Sequence, residues 1–102
     1  MTRGEVWLYE PPSDKRRPML ILTREEHIER QFDVIAVPAT GTARGWDTEL
    51  ELGPRDGMPV VCVLAIHNTL LAQKSFLTEY ITTLDSARMS EVCRMLAYAT
   101  NC

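Results

Sequence analysis

The sequence lacks several features that would assign it to a class at once. It has only three cysteines, Cys62, Cys93 and Cys102. They are odd in number, widely spaced and form no Cys-x-x-Cys pair, which argues against a disulfide framework and against a structural zinc site. Buried or free thiols in a reducing compartment are the simpler expectation. Histidine is scarce as well: His27 and His67 stand alone, with no clustered acids, so no metal site is expected. Long apolar runs are missing. The longest, Met58 to Ile66, falls far short of the roughly 20 residues a membrane-spanning helix needs. Met1-Thr2-Arg3-Gly4-Glu5 has no apolar stretch behind a basic start, so no secretory leader is expected and the cytoplasm is the expected location. Basic charge is not in excess either. Eleven Lys and Arg face fourteen Asp and Glu, a net charge of -3, which counts mildly against nucleic-acid binding because phosphate contacts need cations. A local patch can still sit on an acidic chain, and Lys15-Arg16-Arg17 is one.

What is present is an ordinary globular composition. At 102 residues the chain suits one domain, 1–102, with a modest core that needs no staples. With 45% hydrophobic residues, no segment reads as disordered.

Strand signals dominate the first four-fifths. Gly4 to Tyr9 is rich in strand formers, with Val6 and Leu8 on one face and Trp7 and Tyr9 on the other. Pro11-Pro12-Ser13-Asp14 breaks it. Pro18 to Thr23 is a compact apolar run that predicts a buried second strand. Arg24 to Gln31 is highly charged and fits a single exposed helical turn. Val34 to Val37 marks a third strand within Asp33 to Ala39, followed by a loop, Thr40 to Gly45. Thr48 to Leu52 alternates as a half-exposed strand does. Gly53 to Gly57 is a turn cluster, and Val60 to Leu64 predicts a buried strand. Ala65 to Gln73 is ambiguous, and Phe76 to Thr83 predicts a short sixth strand around Tyr80-Ile81-Thr82.

The end follows a different period. From Asp85 onward Met89, Val92, Leu96 and Ala99 recur at three- and four-residue spacing, one stripe of an amphipathic helix. Asp85 or Ser86 can cap its start and Asn101 can stop it. The whole is mainly β with a C-terminal helix: a small, bent sheet or barrel of about five to seven short strands, SH3-like in scale.

Three local sequences add a resemblance. Arg3-Gly4-Glu5-Val6-Trp7, Arg17-Pro18-Met19-Leu20-Ile21-Leu22 and Val34-Ile35-Ala36-Val37-Pro38-Ala39-Thr40 resemble, in order, the opening, second strand and third strand of MazF/PemK-type toxins. Thr48 to Leu52, Asp56-Gly57-Met58-Pro59 and the terminal helix after Leu84 fit the same family. Two segments depart from it. The loop Glu10 to Arg16 is short and holds two prolines. Leu64-Ala65-Ile66-His67-Asn68-Thr69 stands where many members carry Asp-Gln-Ile-Arg-Thr.

The resemblance implies a barrel of the type shared by CcdB and MazF. It also implies a toxin of a toxin–antitoxin system that cuts single-stranded RNA without a metal or other cofactor and so stops translation and growth. The products would be a 2′,3′-cyclic phosphate, or its opened 3′-phosphate, and a 5′-hydroxyl. The implied partners are a second copy in a homodimer, RNA, and a MazE-like antitoxin with an acidic, disordered tail.

The chemistry of that reaction needs a proton acceptor for the 2′-hydroxyl, donors for the charged phosphorane and a proton for the departing 5′-oxygen. By the resemblance Arg17 is catalytic. A guanidinium can hold phosphate oxygens with two parallel bonds, whereas its high pKa makes it a poor base. By composition alone it would be a surface arginine beside a proline loop. Thr40 is the implied catalytic partner, able to donate a hydroxyl proton to a phosphate oxygen, though a threonine entering a loop is usually a turn residue. Lys15 and Arg16 are candidates for flanking phosphates or simply a solvated charge run. Trp46, beside Arg44 and Gly45 in a loop, is the better base-stacking candidate; Trp7 fits core or interface better. His27 is expected on an exposed charged face. His67 follows a buried strand, near the RNA or the dimer surface, and neither falls on a family catalytic position.

Two other classes compete. A CcdB-type toxin binds DNA gyrase without nuclease chemistry and relies on a Trp near its C-terminus, where this chain has Ala97-Tyr98-Ala99-Thr100-Asn101-Cys102. An SH3-like binding module would be favoured if Arg17 lay far from Thr40.

Overall fold

The computed structural model describes residues 1–102. Seven strands, β1 (Glu5–Tyr9), β2 (Arg17–Ile21), β3 (Asp33–Thr40), β4 (Glu49–Leu52), β5 (Cys62–Ala65), β6 (Leu70–Gln73) and β7 (Leu77–Thr83), are followed by one long helix. That helix, α2, spans Ser86–Thr100; a single turn, α1 (Glu25–Ile28), joins β2 to β3. Every strand pairing is antiparallel, in the order β4-β5-β3-β2-β1-β7, with β6 on β3.

β3 organises the sheet. One edge pairs with β2. The other changes partner: Asp33 to Ala36 face β6, and Ala39 and Thr40 face β5. Pro38, which has no N–H for a ladder, lies in the gap between those two partners. The two faces of the sheet build two cores. Leu20 and Val37 enter the larger one, with Val6, Leu52, Leu64 and Val92. Their neighbours Met19, Ile21, Val34 and Ala36 enter the smaller. Alternate residues along a strand point to opposite faces, so an apolar run such as Pro18 to Thr23 fills both. Each fully buried aliphatic side chain contributes about 1.5–3 kcal/mol.

β1 alternates as its sequence predicts. Val6 is buried in the larger core, and Trp7 and Tyr9 pack on the smaller. Trp7 also donates to Glu5 and meets Tyr80 edge-on, which makes it a packing residue.

α2 starts where Asp85 accepts the backbone N–H of Arg88 and ends at Asn101 in the left-handed conformation. Its buried stripe differs from the predicted one. Met89 and Val92 are buried and Met95 and Leu96 pack on the core, but Ala99 is exposed, because the last turn runs past the core.

Two other expectations are corrected. Val60 and Val61 are exposed; β5 begins only at Cys62, because its partner β4 ends at Leu52, which pairs with Cys62. His27 is half-buried, since α1 packs Ile28 into the smaller core. The ambiguous stretch after β5 resolves into a 3-10 turn, Ile66–Asn68, and β6. No helix is long and apolar enough to cross a membrane.

Candidate functional site

Strand register brings Arg17 and Thr40 together. Met19 pairs with Pro38 at the end of the β2–β3 ladder, and continuing that register two residues outward along each strand sets Arg17 on the same side as Thr40. Both line one cleft of about 270 Å³, with Thr42, Arg44, Glu49 and His67 among its other walls. Two of these wall residues are guanidinium cations, so an acidic chain presents a locally basic surface.

Arg17 is about one-third exposed and held at its outer side by Asp14, Nη2 to Oδ1 3.4 Å. So long and exposed a contact is weak and yields readily to a phosphate. The Thr40 hydroxyl oxygen accepts the backbone N–H of Thr42 at 3.2 Å. That leaves its own O–H to donate into the cleft.

The loop after β3 is ordered by one carboxylate. Glu49 accepts the backbone N–H groups of Arg44, Gly45 and Trp46 at 2.9–3.2 Å. Gly45 takes φ +76 there, a conformation that costs glycine little. The loop is also pinned at Asp47, which accepts the Tyr98 hydroxyl at 2.6 Å from α2. Trp46 is half-exposed, with the Arg44 guanidinium 5.3 Å from its ring centre and the His67 ring at 4.8 Å. His67 is anchored in turn by Thr48, Nδ1 to Oγ1 2.7 Å. An aromatic platform therefore stands beside the cationic cleft.

Lys15 and Arg16 do not line this cleft. Both are exposed, and Arg16 pairs with Glu10 at 3.2 Å. Glu49, Thr42, Thr48 and Asn68 were not singled out from the sequence. Nothing in the alternation of β4 distinguishes Glu49 from Glu51; only the fold of the preceding loop does. His67 had one signal, its place just after β5, the strand that pairs with Thr40.

A larger hollow, about 340 Å³, lies by Phe32 and Lys74. It carries no convergent chemistry, because the Lys74 amine is committed to the carbonyls of Ile28 and Glu29. No three His, Cys, Asp or Glu side chains converge to form a set able to hold a metal ion.

Comparison with known proteins identifies the family. Residues 2–100 match the family described as PemK-like, MazF-like toxin of type II toxin-antitoxin system. The chain is 36% identical over 103 residues to the probable endoribonuclease MazF2 of Mycobacterium tuberculosis (strain ATCC 25618 / H37Rv), with both chains covered in full. It is 31% identical over 101 residues to the probable endoribonuclease MazF5 of the same strain, covering 98% of this chain and 93% of that one. Among solved structures, Mycobacterium tuberculosis toxin MazF-mt6 superposes with a TM-score of 0.86 at 27% identity, covering 95% of this chain and 96% of the other. An endoribonuclease in complex with its cognate antitoxin from Mycobacterial species gives the same TM-score at 26% identity, covering 99% and 95%. From its second residue to the end of α2, this chain belongs to the PemK-like, MazF-like toxin family of type II toxin–antitoxin systems.

Proposed function

We propose that the chain is a sequence-specific endoribonuclease that cuts single-stranded RNA without a metal, leaving a 2′,3′-cyclic phosphate (or 3′-phosphate) and a 5′-hydroxyl. The observation that carries this reading is that Arg17 from β2 and Thr40 from the adjacent β3 line one cleft that also holds Arg44. A scissile phosphate seated there meets one planar cation from β2 and one hydroxyl from the end of β3. Arg17 holds the equatorial oxygens as charge builds on the phosphorane, and Thr40 donates to one of them. Such donors accelerate reaction because they are already oriented when charge develops. Arg44 and Trp46 take the neighbouring phosphate and base, the base stacking on the indole. Lys15 and Arg16, farther out on the loop before β2, meet flanking phosphates.

The reading extends to partners. A homodimer joins two such surfaces into one RNA groove, in the cytoplasm. A MazE-like antitoxin folds an acidic, disordered tail onto the toxin and competes with phosphate for the arginines. The MazF2 and MazF5 relatives, each named a probable endoribonuclease, and the solved endoribonuclease–antitoxin complex support both parts.

The test is incubation of the purified chain with defined single-stranded RNA in excess EDTA, beside Arg17→Ala, with the new ends sequenced. Cutting by the native chain alone, at a repeated short sequence with 5′-hydroxyl ends, is expected. A folded native protein that leaves a broad RNA pool intact would sink the nuclease reading and favour a gyrase-binding or non-catalytic module.

A further inference from the structure

The site as described holds donors for the phosphorane but no assigned proton acceptor for the 2′-hydroxyl. The cleft walls limit the choice. Arg17 and Arg44 are permanently protonated types. The Glu49 carboxylate is committed to three backbone N–H groups and shapes the loop. Thr40, Thr42 and Asn68 are not bases at neutral pH. Asp14, the nearest other acid to Arg17, is not among the wall residues. His67 remains. It is exposed, lines the same cleft, and belongs to the one residue type that ordinarily exchanges a proton near neutrality.

Its surroundings suit the task. Nδ1 is 2.7 Å from Thr48 Oγ1, and the ring lies against Trp46 at 4.8 Å. A threonine hydroxyl can accept a hydrogen bond from Nδ1–H in both the neutral and the protonated ring. With that proton on Nδ1, Nε2 keeps its lone pair, and no protein group occupies it.

Resting on the ribonuclease reading above, we propose that His67 is the proton acceptor of the reaction, with Thr48 positioning it. His67 Nε2 takes the proton of the 2′-hydroxyl. The 2′-oxygen forms its bond to phosphorus and the bond from phosphorus to the 5′-oxygen breaks. The departing 5′-oxygen keeps the electron pair and takes a proton from solvent water. The protonated imidazole then returns its proton to the hydroxide so formed. The step is redox-neutral and ends in a cyclic phosphate and a 5′-hydroxyl.

The experiment is single-turnover cleavage of a defined RNA at saturating protein in EDTA, comparing the native chain, His67→Ala and His67→Gln. Affinity is measured in parallel with the same RNA carrying a 2′-deoxy sugar at the cut. His67→Ala should be slower by about 10²- to 10³-fold, the usual scale for losing a general base, with affinity for the 2′-deoxy RNA little changed. Added imidazole should restore part of the rate in His67→Ala in a concentration-dependent way, since it can fill the gap between Trp46 and Thr48. His67→Gln keeps a side chain for Thr48 but no base, and should be as slow. A native single-turnover rate in either variant would overturn the assignment. So would a loss of rate matched by an equal loss of affinity, or one that imidazole does not restore. Absence of cutting by the native chain would remove the nuclease reading and this role with it. Native cutting beside an unimpaired His67→Ala removes the role alone.

Discussion

Arg88 on α2 grips Asp56 with two bonds, Nε to Oδ1 at 2.9 Å and Nη2 to Oδ2 at 3.2 Å, and the same guanidinium donates to the carbonyl of Glu51 at 2.8 Å. One side chain thus ties the helix to β4 and to the 3-10 turn, Pro54–Asp56, that follows it. The Asp56 side chain is 11% exposed and that of Arg88 27%, so the pair is only partly screened by water. Arg88→Ala should lower unfolding free energy by about 1.5–3 kcal/mol, the scale of hydrogen bonds to charged groups. Urea denaturation would measure it, and an unchanged midpoint would show that the tie is not needed.

The same pair gives the stability an acid limb. The hydrogen bond from Arg88 holds the Asp56 carboxyl below its ordinary value of 3.8. A depressed carboxyl contributes stability that is present above the unfolded value and lost as pH falls through the folded one. Native protein should therefore lose stability progressively below about pH 4. Asp56→Asn should be less stable at neutral pH and show a flatter acid limb. An identical limb in that variant would assign the loss to other carboxylates.

Gly57 follows that turn with φ +89, and a Cβ there would fall on the Thr82 hydroxyl, which itself donates to the carbonyl of Asp56. Backbone strain and a collision add. Gly57→Ala should cost about 1–3 kcal/mol or more, against a gain if the position were merely flexible. Thermal and urea unfolding would distinguish the two signs.

Arg17→Ala should lower cleavage by about 10² to 10³-fold, while far-ultraviolet circular dichroism and the melting transition stay native, because the one hydrogen bond of the Arg17 side chain is the long contact to Asp14. Arg17→Lys should recover only a small part of the rate. An ammonium restores charge but not two parallel donors. Full activity in the lysine variant would mean that charge alone suffices.

Tyr98 donates to Asp47, and this bond pushes the phenol above its ordinary value of 10.0. The contribution of a raised group is present below the unfolded value and is lost as pH rises through the folded one. Tyr98→Phe should remove this raised phenol from an absorbance titration. It should also loosen the loop carrying Arg44 and Trp46, seen as faster proteolysis or hydrogen exchange there. A loop equally protected in the variant would show that Glu49 holds it alone.

The sequence by itself determined most of the elements and their order, β6 excepted, since Ala65 to Gln73 carried no clear period. Period-two alternation in Thr48 to Leu52, the two-sided apolar run at Pro18 to Thr23 and the capped 3.6-residue stripe from Asp85 are local signals, because side-chain direction follows from backbone geometry within a few residues. It also marked Arg17 and Thr40 through short motifs. It could not say where a strand loses its partner, so Val60 and Val61 read as buried and β5 starts later. Nor could it say how far the core reaches along α2, so Ala99 read as part of the stripe. The cleft was decided only in three dimensions. Antiparallel register sets residues 23 positions apart opposite one another, and the turn after β5 carries His67 back to Thr48 and Trp46. Chemistry of this kind depends on distances across strands, and those are set by the register of the sheet and by the change of partner along β3 around Pro38, which no window of sequence contains.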